Sequence, residues 1–222
     1  MTTANSTITF GLSKITIEHI NAMAKGQAQI SLSSDKNFKE TIEQGANFLK
    51  NLLQEDGVIY GVTTGYGDSV TEQVPLGKVH ELPLHLTRFH GCGLGDTFSV
   101  EETRAILGAR LTSLTQGYSG VTWELLEQLE TLLTHDIMPR IPQEGSVGAS
   151  GDLTPLSYVA AVLVGEREVF YKGELRPTND VFEELNIKPL TLQPKEGLAI
   201  MNGTAVMTAL ACIAYQRAEY LI

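Results

Sequence analysis

Apolar side chains recur at helical spacing along much of the chain. Between residues 35 and 54 they fall at every third or fourth position, which gives a helix one apolar face. The pattern predicts a helix over Asp35–Gln54 with one buried stripe, formed by Phe38, Ile42, Ala46, Leu49 and Leu53. A shorter amphipathic segment, Thr16–Lys25, is closed by a glycine and predicts another helix.

Capping residues predict three further helices. Ser99 and Glu102 have the spacing of a capping box and open a helix that extends to about Leu114. A threonine is expected to cap the helix Thr122–Leu133. Another threonine stands directly before a proline, which is favoured at the first helical position, so the segment Thr154–Val164 is predicted to be helical with Thr154 as its cap.

Strand signals are weaker and cover short segments. Gln29–Leu32 and Gly57–Tyr60 are predicted strands, and Glu168–Leu175 is predicted to form a hairpin that turns at Lys172-Gly173. The fold class expected from these patterns is mainly α with a few short strands.

The C-terminal segment is apolar on nearly every face. Gly197–Tyr215 has the pattern of a helix that protein surrounds on all sides. The sequence then stops at Ile222 without a capping residue or a polar tail. We therefore expect that the chain is a fragment, or that partner chains cover this segment.

Composition excludes several classes of protein. The 222 residues include 16 basic and 26 acidic side chains, and the resulting charge of −10 argues against nucleic acid or an anionic membrane as a partner. Cys92 and Cys212 are too far apart for a disulfide framework or a zinc ribbon, and the histidines show no metal-ligand spacing, so no metal is expected. The N-terminus lacks the features of a signal peptide, and no uninterrupted apolar segment is expected to span a membrane. These features predict a cytoplasmic globular protein.

Four stretches concentrate glycine and other small residues: Tyr60–Gly67, His90–Gly95, Gly145–Pro155 and Met201–Thr204. The simplest interpretation of each is a loop between helices. Their spacings do not fit a dinucleotide fingerprint or a phosphate loop. The third stretch also fails as a nucleophile elbow, which needs glycine where Asp152 stands.

The third stretch permits a different chemistry within Ala149-Ser150-Gly151. The unhindered amide nitrogen of Gly151 can bond to the carbonyl carbon of Ala149 and close a five-membered ring with loss of one water. Loss of the Ser150 hydroxyl as a second water then leaves an exocyclic methylene. The product is a strong electrophile built from the backbone, without a metal or a bound cofactor.

Four ordered motifs resemble those of one enzyme family. The segment GSVGASGDLTPLSY is similar to the signature of the histidine, phenylalanine and tyrosine ammonia-lyases. VIYGVTTGYG resembles the YGVNTGFG motif of that family. ARLTSLTQGYSGV resembles its RANALAKGYSGV, and KEGLAIMNGT resembles its KEGLALINGT. The resemblance extends from about Ile8 to Ile222. It implies the N-terminal part of the fumarase/aspartase-like helical fold and an Ala-Ser-Gly triplet that cyclises to 4-methylideneimidazol-5-one (MIO).

The resemblance also implies roles for matching positions. Ala149, Ser150 and Gly151 would form MIO, and Asp152 would support the cyclisation. Tyr60 would be the base that removes the β-proton of the substrate. The remaining roles fall on Asn202, which would contact the MIO ring or the substrate near it, and on Gly67, a substrate-binding position. Without these motifs, the simplest interpretation of Tyr60 would be a half-buried strand residue. Asp152 would be a carboxylate at the start of a helix, and Asn202 a turn residue.

Two adjacent residues, Phe89 and His90, occupy the positions that distinguish substrates in this family. Histidine lyases resemble Ser-His here, phenylalanine lyases Phe-Leu and tyrosine lyases His-Leu. The imidazole of His90 could pair with an imidazole or a phenol, and a site that pairs with a polar ring rejects phenylalanine. Histidine is therefore the favoured substrate and tyrosine the next.

The resemblance implies a longer protein. In this family the second half holds a helix bundle, the arginine that binds the substrate carboxylate, and the contacts of a homotetramer. The domain expected over residues 1–222 is therefore the MIO-bearing N-terminal part, inactive by itself. Two alternatives to a lyase stay open: an aminomutase of the same family, and a non-catalytic binding or assembly module.

Overall fold

A computed structural model describes residues 6–55 and 57–222, and the first five residues of the N-terminal segment on which the signal-peptide expectation depends lie outside them. The helices in chain order are α1 Ile17–Ala24, α2 Lys36–Gln54, α3 Leu82–His90, α4 Val100–Leu114, α5 Trp123–Thr134, α6 Leu153–Leu163, α7 Thr178–Leu185, α8 Glu196–Met201 and α9 Ala205–Leu221. Short 3-10 turns cover Gly67–Thr71 and Leu76–Lys78. The mainly α expectation is confirmed.

The strands are short and form three small sheets. They are β1 Ser6–Phe10, β2 Ala28–Leu32, β3 Leu94–Thr97, β4 Met138–Pro139, β5 Pro142–Glu144, β6 Glu168–Tyr171 and β7 Glu174–Pro177. β1 pairs in parallel with β2, β3 pairs with β5, and β4, β6 and β7 form an antiparallel sheet. The predicted hairpin is confirmed as β6–β7, and its turn residues Lys172 and Gly173 both have positive φ, as a two-residue hairpin turn requires.

Helix α4 lies at the centre of the core. It packs against α1, α5 and α9, and its apolar side chains Ile106, Leu107, Leu111 and Leu114 have no exposed surface. The predicted capping box is present: the hydroxyl of Ser99 accepts from the Glu102 amide at 3.2 Å, and the Glu102 carboxylate accepts from the Ser99 amide at 2.8 Å. A helix that is buried on nearly every side fixes the positions of the elements around it.

The predicted helix over Asp35–Gln54 is confirmed as α2, with the Asp35 carboxylate accepting from the Asn37 amide at 2.8 Å. The prediction of a buried stripe is wrong in part. Only Ile42 is buried, and the other four side chains of the predicted stripe are partly exposed. Helix α2 therefore has an apolar face that this chain covers incompletely.

The predicted strand at Gly57–Tyr60 is wrong, because the segment is coil that leads into a turn. The hydroxyl of Thr63 accepts from the Ile59 amide at 2.8 Å and donates to the Gly57 carbonyl at 3.2 Å. Gly61 then takes a positive φ of 66°. A local side chain thus satisfies backbone groups that a strand would direct to a neighbouring strand.

Helix α6 begins before the predicted cap. The N-cap residue is Asp152, and Thr154 and Pro155 lie inside the first turn. Proline is tolerated there because the first amides of a helix have no partner within the helix. The expected cap at Thr122 is in place for α5, but its hydroxyl bonds to Glu196 at 2.7 Å instead of to the helix.

The apolar C-terminal segment is broken into α8 and α9 by Asn202-Gly203-Thr204. Protein does not surround it on all sides in this chain, since Met207, Tyr215 and Tyr220 on α9 are exposed. By length and composition alone, Glu196–Leu221 could cross a membrane, contrary to the sequence expectation, and half of its most apolar window is buried in the fold.

We predict that Ser99→Ala lowers the free energy of unfolding by about 1 kcal/mol, because the first turn of α4 loses its capping hydroxyl. Chemical denaturation monitored by circular dichroism measures this change. Ser113→Ala is the matched control, since Ser113 is exposed within the same helix. Equal effects of the two substitutions would contradict the capping role.

Candidate active site

The Ala149-Ser150-Gly151 triplet lies in the loop between β5 and α6. Ala149 and Ser150 are exposed, and the flanking Gly148 and Gly151 have positive φ of 70° and 90°. A Cβ at Gly151 would also overlap the carbonyl oxygen of Gly203. Glycine is therefore required at position 151 for the kinked backbone and for this close approach, which are conditions that cyclisation of the triplet also needs.

Asn202 lies against the triplet. Its side-chain amide donates to the carbonyl oxygen of Ser150 at 2.5 Å. Asn202 is the C-cap residue of α8 and has extended backbone angles, so the helix ends where its side chain turns toward the loop. The contact joins two of the motifs that the sequence singled out.

Asp152 connects the triplet to two helix N-termini. Only 7% of the residue is exposed. It is the N-cap residue of α6, and its carboxylate accepts from the amide of Met207, in the first turn of α9, at 3.0 Å. Its own amide donates to the Gly203 carbonyl at 2.7 Å. A carboxylate at a helix N-terminus is stabilised by unpaired amides and by the helix dipole, so both interpretations of Asp152 fit its position.

Arg110, a residue that sequence reasoning missed, lies behind this loop. Its side chain extends from α4, is 3% exposed, and donates through Nη2 to the carbonyl of Ala199 in α8. A Cβ at Gly203 would overlap its Nη1 atom. Burial lowers the pKa of Arg110 to about 10, and the charge of Asp152 opposes that shift. The sequence signal that could have identified Arg110 is a charged residue next to apolar positions in the segment ARLTSL, inside a predicted helix.

Tyr60 is 51% exposed, and its hydroxyl oxygen accepts from the amide of Gly67 at 3.0 Å. Its ring meets the ring of Tyr66 edge-on, with centroids 6.4 Å apart. Burial raises the pKa of Tyr66 to about 12, with a smaller contribution from Tyr60. Of these two tyrosines, Tyr60 is the more exposed to solvent.

Phe89 and His90 end helix α3. Phe89 is 80% exposed, and the two rings meet edge-on with centroids 5.1 Å apart. The Nδ1 atom of His90 lies 3.0 Å from the Leu86 carbonyl and must donate to it, because a carbonyl only accepts. The Nε2 atom is therefore the one left to pair with a ligand.

Helix α8 lies between the triplet, Tyr60 and the Phe89-His90 pair. A Cβ at Gly61, next to Tyr60, would contact Leu198 of α8, and one at Gly197 would contact Pro83 of α3. Asn202 then continues from α8 to the triplet. Hydrogen bonds thus join Asn202 and Asp152 to the triplet region, whereas Tyr60 and the Phe89-His90 pair are linked to it by packing through α8.

A cavity of about 1270 Å³ opens near this region without containing all of it. Its walls include Arg110, Lys195 and Asn202, together with the loop after β1 and the start of α2, but neither Tyr60 nor the triplet lines it. Within residues 6–55 and 57–222, no group of three or more His, Cys, Asp or Glu side chains could hold a metal ion.

A mainly helical chain in which an Ala-Ser-Gly loop is bonded to the Asn-Gly-Thr break between two helices has the structure expected for the N-terminal portion of an ammonia-lyase. The comparison with known families agrees, because the aromatic amino acid lyase family matches residues 15–222. The chain belongs to that family.

Relatives of several activities share this region. The chain is 42% identical to a histidine ammonia-lyase of Staphylococcus aureus over 207 residues, which are 93% of this chain and 41% of that protein. A tyrosine aminomutase from Streptomyces globisporus superposes with a TM-score of 0.89 at 37% identity, over 97% of this chain and 40% of its own. An ergothionase from Treponema denticola superposes with a TM-score of 0.91 at 27% identity, over 97% of this chain and 43% of its own. The chain therefore spans about two fifths of the length of these relatives.

We predict that Asp152→Asn lowers the free energy of unfolding by about 1–3 kcal/mol, because a buried charged acceptor at the start of α9 is lost beside the buried Arg110. Thermal or denaturant unfolding measures the change. Asp180→Asn is the matched control, since Asp180 lies in the first turn of α7 and is exposed. A loss no larger than that of the control would remove Asp152 as a support of the helix break.

Proposed function

We propose that the protein catalyses the non-oxidative deamination of an aromatic amino acid to an α,β-unsaturated acid and ammonia, with an electrophile formed from Ala149, Ser150 and Gly151. The observation that carries the proposal is the contact of Asn202 with the Ser150 carbonyl beside the kinked glycine. Family membership supports the same chemistry.

The residues of the loop fit the MIO group. The ring would consist of the Ala149 carbonyl carbon, three backbone atoms of Ser150 and the Gly151 nitrogen, so the Ser150 carbonyl oxygen stays on the ring. The amide of Asn202 already donates to that oxygen. Such a donor withdraws electron density from the ring and from its methylidene carbon. The group would supply an electrophilic carbon at this position, where the substrate amine could be activated as a leaving group.

The remaining roles belong to side chains of this chain. Tyr60 would take the β-proton of the substrate, a weakly acidic proton that needs a well-placed base. Its hydroxyl accepts from the Gly67 amide, and a donated hydrogen bond stabilises the phenolate that proton removal requires. Gly67 thereby has a contact with the base, in the stretch where the resemblance puts a substrate-binding position.

Histidine is the proposed substrate and tyrosine the next. The free Nε2 atom of His90 can pair with an imidazole or a phenol, and Phe89 offers apolar surface to the ring. The 42% identity to a histidine ammonia-lyase supports the same order. We further propose that the whole protein is a cytoplasmic homotetramer, and that subunit contacts complete the site.

An aminomutase of the same family is the second candidate, favoured by the likeness to the tyrosine aminomutase. A mutase returns the amine to the β-carbon, whereas a lyase releases it. Product analysis of the full-length protein separates the two, because free ammonia with an unsaturated acid excludes a pure mutase. A triplet that stays an ordinary peptide in the full-length tetramer would favour a non-catalytic module.

We predict that Ser150→Ala abolishes turnover in the full-length protein with little change in stability, because Ser150 is exposed and supplies the hydroxyl that leaves as the second water. Intact mass with peptide mapping should find the wild-type peptide 145–156 lighter by two waters, and the variant without that loss. Ser34→Ala is the control, since Ser34 is an exposed serine outside the loop and its replacement keeps the leaving hydroxyl of Ser150. Wild-type turnover by the Ser150 variant would exclude the electrophile.

We predict that Tyr60→Phe retains the loss of two waters but reduces kcat by at least about 100-fold, because the proton acceptor is removed. Tyr66→Phe is the control: Tyr66 has the raised pKa, and the family motif carries phenylalanine at that position. Its kcat should stay close to that of the wild type. An unchanged rate for Tyr60→Phe would exclude Tyr60 as the base.

A further inference from the structure

The break between α8 and α9 leaves backbone groups that need partners. The last carbonyls of α8 and the first amides of α9 cannot bond within their own helices. Thr204, the N-cap residue of α9, makes no side-chain capping bond. Asp152 satisfies the α9 side through the Met207 amide, and Arg110 bonds to Ala199 on the α8 side.

The guanidinium of Arg110 also packs directly behind the loop. It lies against Gly203, where a Cβ would overlap its Nη1 atom. The carbonyl of Gly203 in turn lies against Gly151 and accepts from the Asp152 amide. Arg110, Gly203 and Gly151 therefore form three successive layers, and the third layer is part of the triplet.

We propose that Arg110 is a positioning residue that holds the break between α8 and α9 against the Ala149–Gly151 loop, so that Asn202 meets the Ser150 carbonyl while the ring closes. This inference rests on the proposed function in so far as it concerns ring closure. The positioning of the break itself is independent of it.

The charge of Arg110 suits both sides of the break. A cation is favoured beside the C-terminal carbonyls of a helix, and an anion beside the N-terminal amides. Arg110 and Asp152 supply this pair. Arg110 makes no ion pair within 4 Å among the described residues, and its Nε atom is buried without a hydrogen-bond partner. No ion pair therefore offsets the cost of burying this arginine. Its contacts with the break between α8 and α9 are the interactions that explain its position.

The test compares Arg110→Met and Arg110→Lys with Arg104→Met. Arg104 is the matched control because it also extends from α4 and also bonds to a helix C-terminus, the Ala24 carbonyl of α1 at 2.8 Å, with an ion pair to Asp136. Each variant is studied in the full-length protein by hydrogen exchange of the peptides 145–153 and 199–207, and by the rate at which peptide 145–156 loses two waters.

Arg110→Met should raise exchange in both peptides by about tenfold or more, since a charged hydrogen bond at the break is lost. It should slow the loss of water by a similar factor, and Arg110→Lys should restore part of both. Arg104→Met should leave both readouts unchanged even where it lowers overall stability.

Unchanged exchange in peptide 199–207 for both Arg110 variants would overturn the proposal, as would equal effects of Arg104→Met. If Arg110→Met fails to fold, Arg110→Lys carries the same comparison. A wild-type protein that never loses water would contradict the proposed function, and the exchange data would still decide whether Arg110 holds the break.

Discussion

The site depends on one interruption in an otherwise apolar helical segment. An unbroken helix from Glu196 to Leu221 would satisfy its own backbone and leave nothing to hold the Ala-Ser-Gly loop. The break at Asn202-Gly203-Thr204 exposes carbonyls on one side and amides on the other. Arg110 bonds to the first set and Asp152 to the second. The same interruption places the side chain of Asn202 where it donates a hydrogen bond to the Ser150 carbonyl. The geometry of the triplet therefore depends on where α8 ends.

Burial makes these charges effective and also costly. Removal of Arg110 from water lowers its pKa to about 10, while the charge of Asp152 acts in the opposite direction. Buried ions without close partners destabilise a fold unless hydrogen bonds compensate. Here the compensation comes from backbone groups at the helix ends, whose partial charges have the matching signs. The loop is therefore held by groups that cannot easily exchange their partners for water.

Sequence reasoning predicted those features that depend on local chemistry. Helix α4 follows from a capping box and an apolar core, whereas the cyclisation inferred from the small residues around Ser150 stays a prediction. Features that depend on which partner a backbone group finds were missed. The segment ending at Tyr60 is rich in residues that favour strands, but the hydroxyl of the neighbouring Thr63 bonds to its backbone, so the segment is coil. The cap of α6 is Asp152 because Gly203 and Met207, both distant in sequence, bind it. The loop interpretation of Met201–Thr204 is confirmed as the break between α8 and α9, whereas the single helix expected from the apolar pattern of Gly197–Tyr215 is wrong.

The residues of the site divide into two groups by their environment. Those around the Ala149–Gly151 triplet contact one another within this chain, from Arg110 through Gly203 to Asp152 and Asn202. Those assigned to the substrate, Tyr60 and Phe89, are largely exposed, and their ring contacts are with Tyr66 and His90 beside them. Ring closure needs only backbone atoms and a fixed kink, whereas deamination needs a binding surface around the substrate. The described residues hold the loop of the triplet in place by contacts within this chain. They leave Tyr60 and Phe89, the side chains assigned to the substrate, with exposed faces on which further protein could pack.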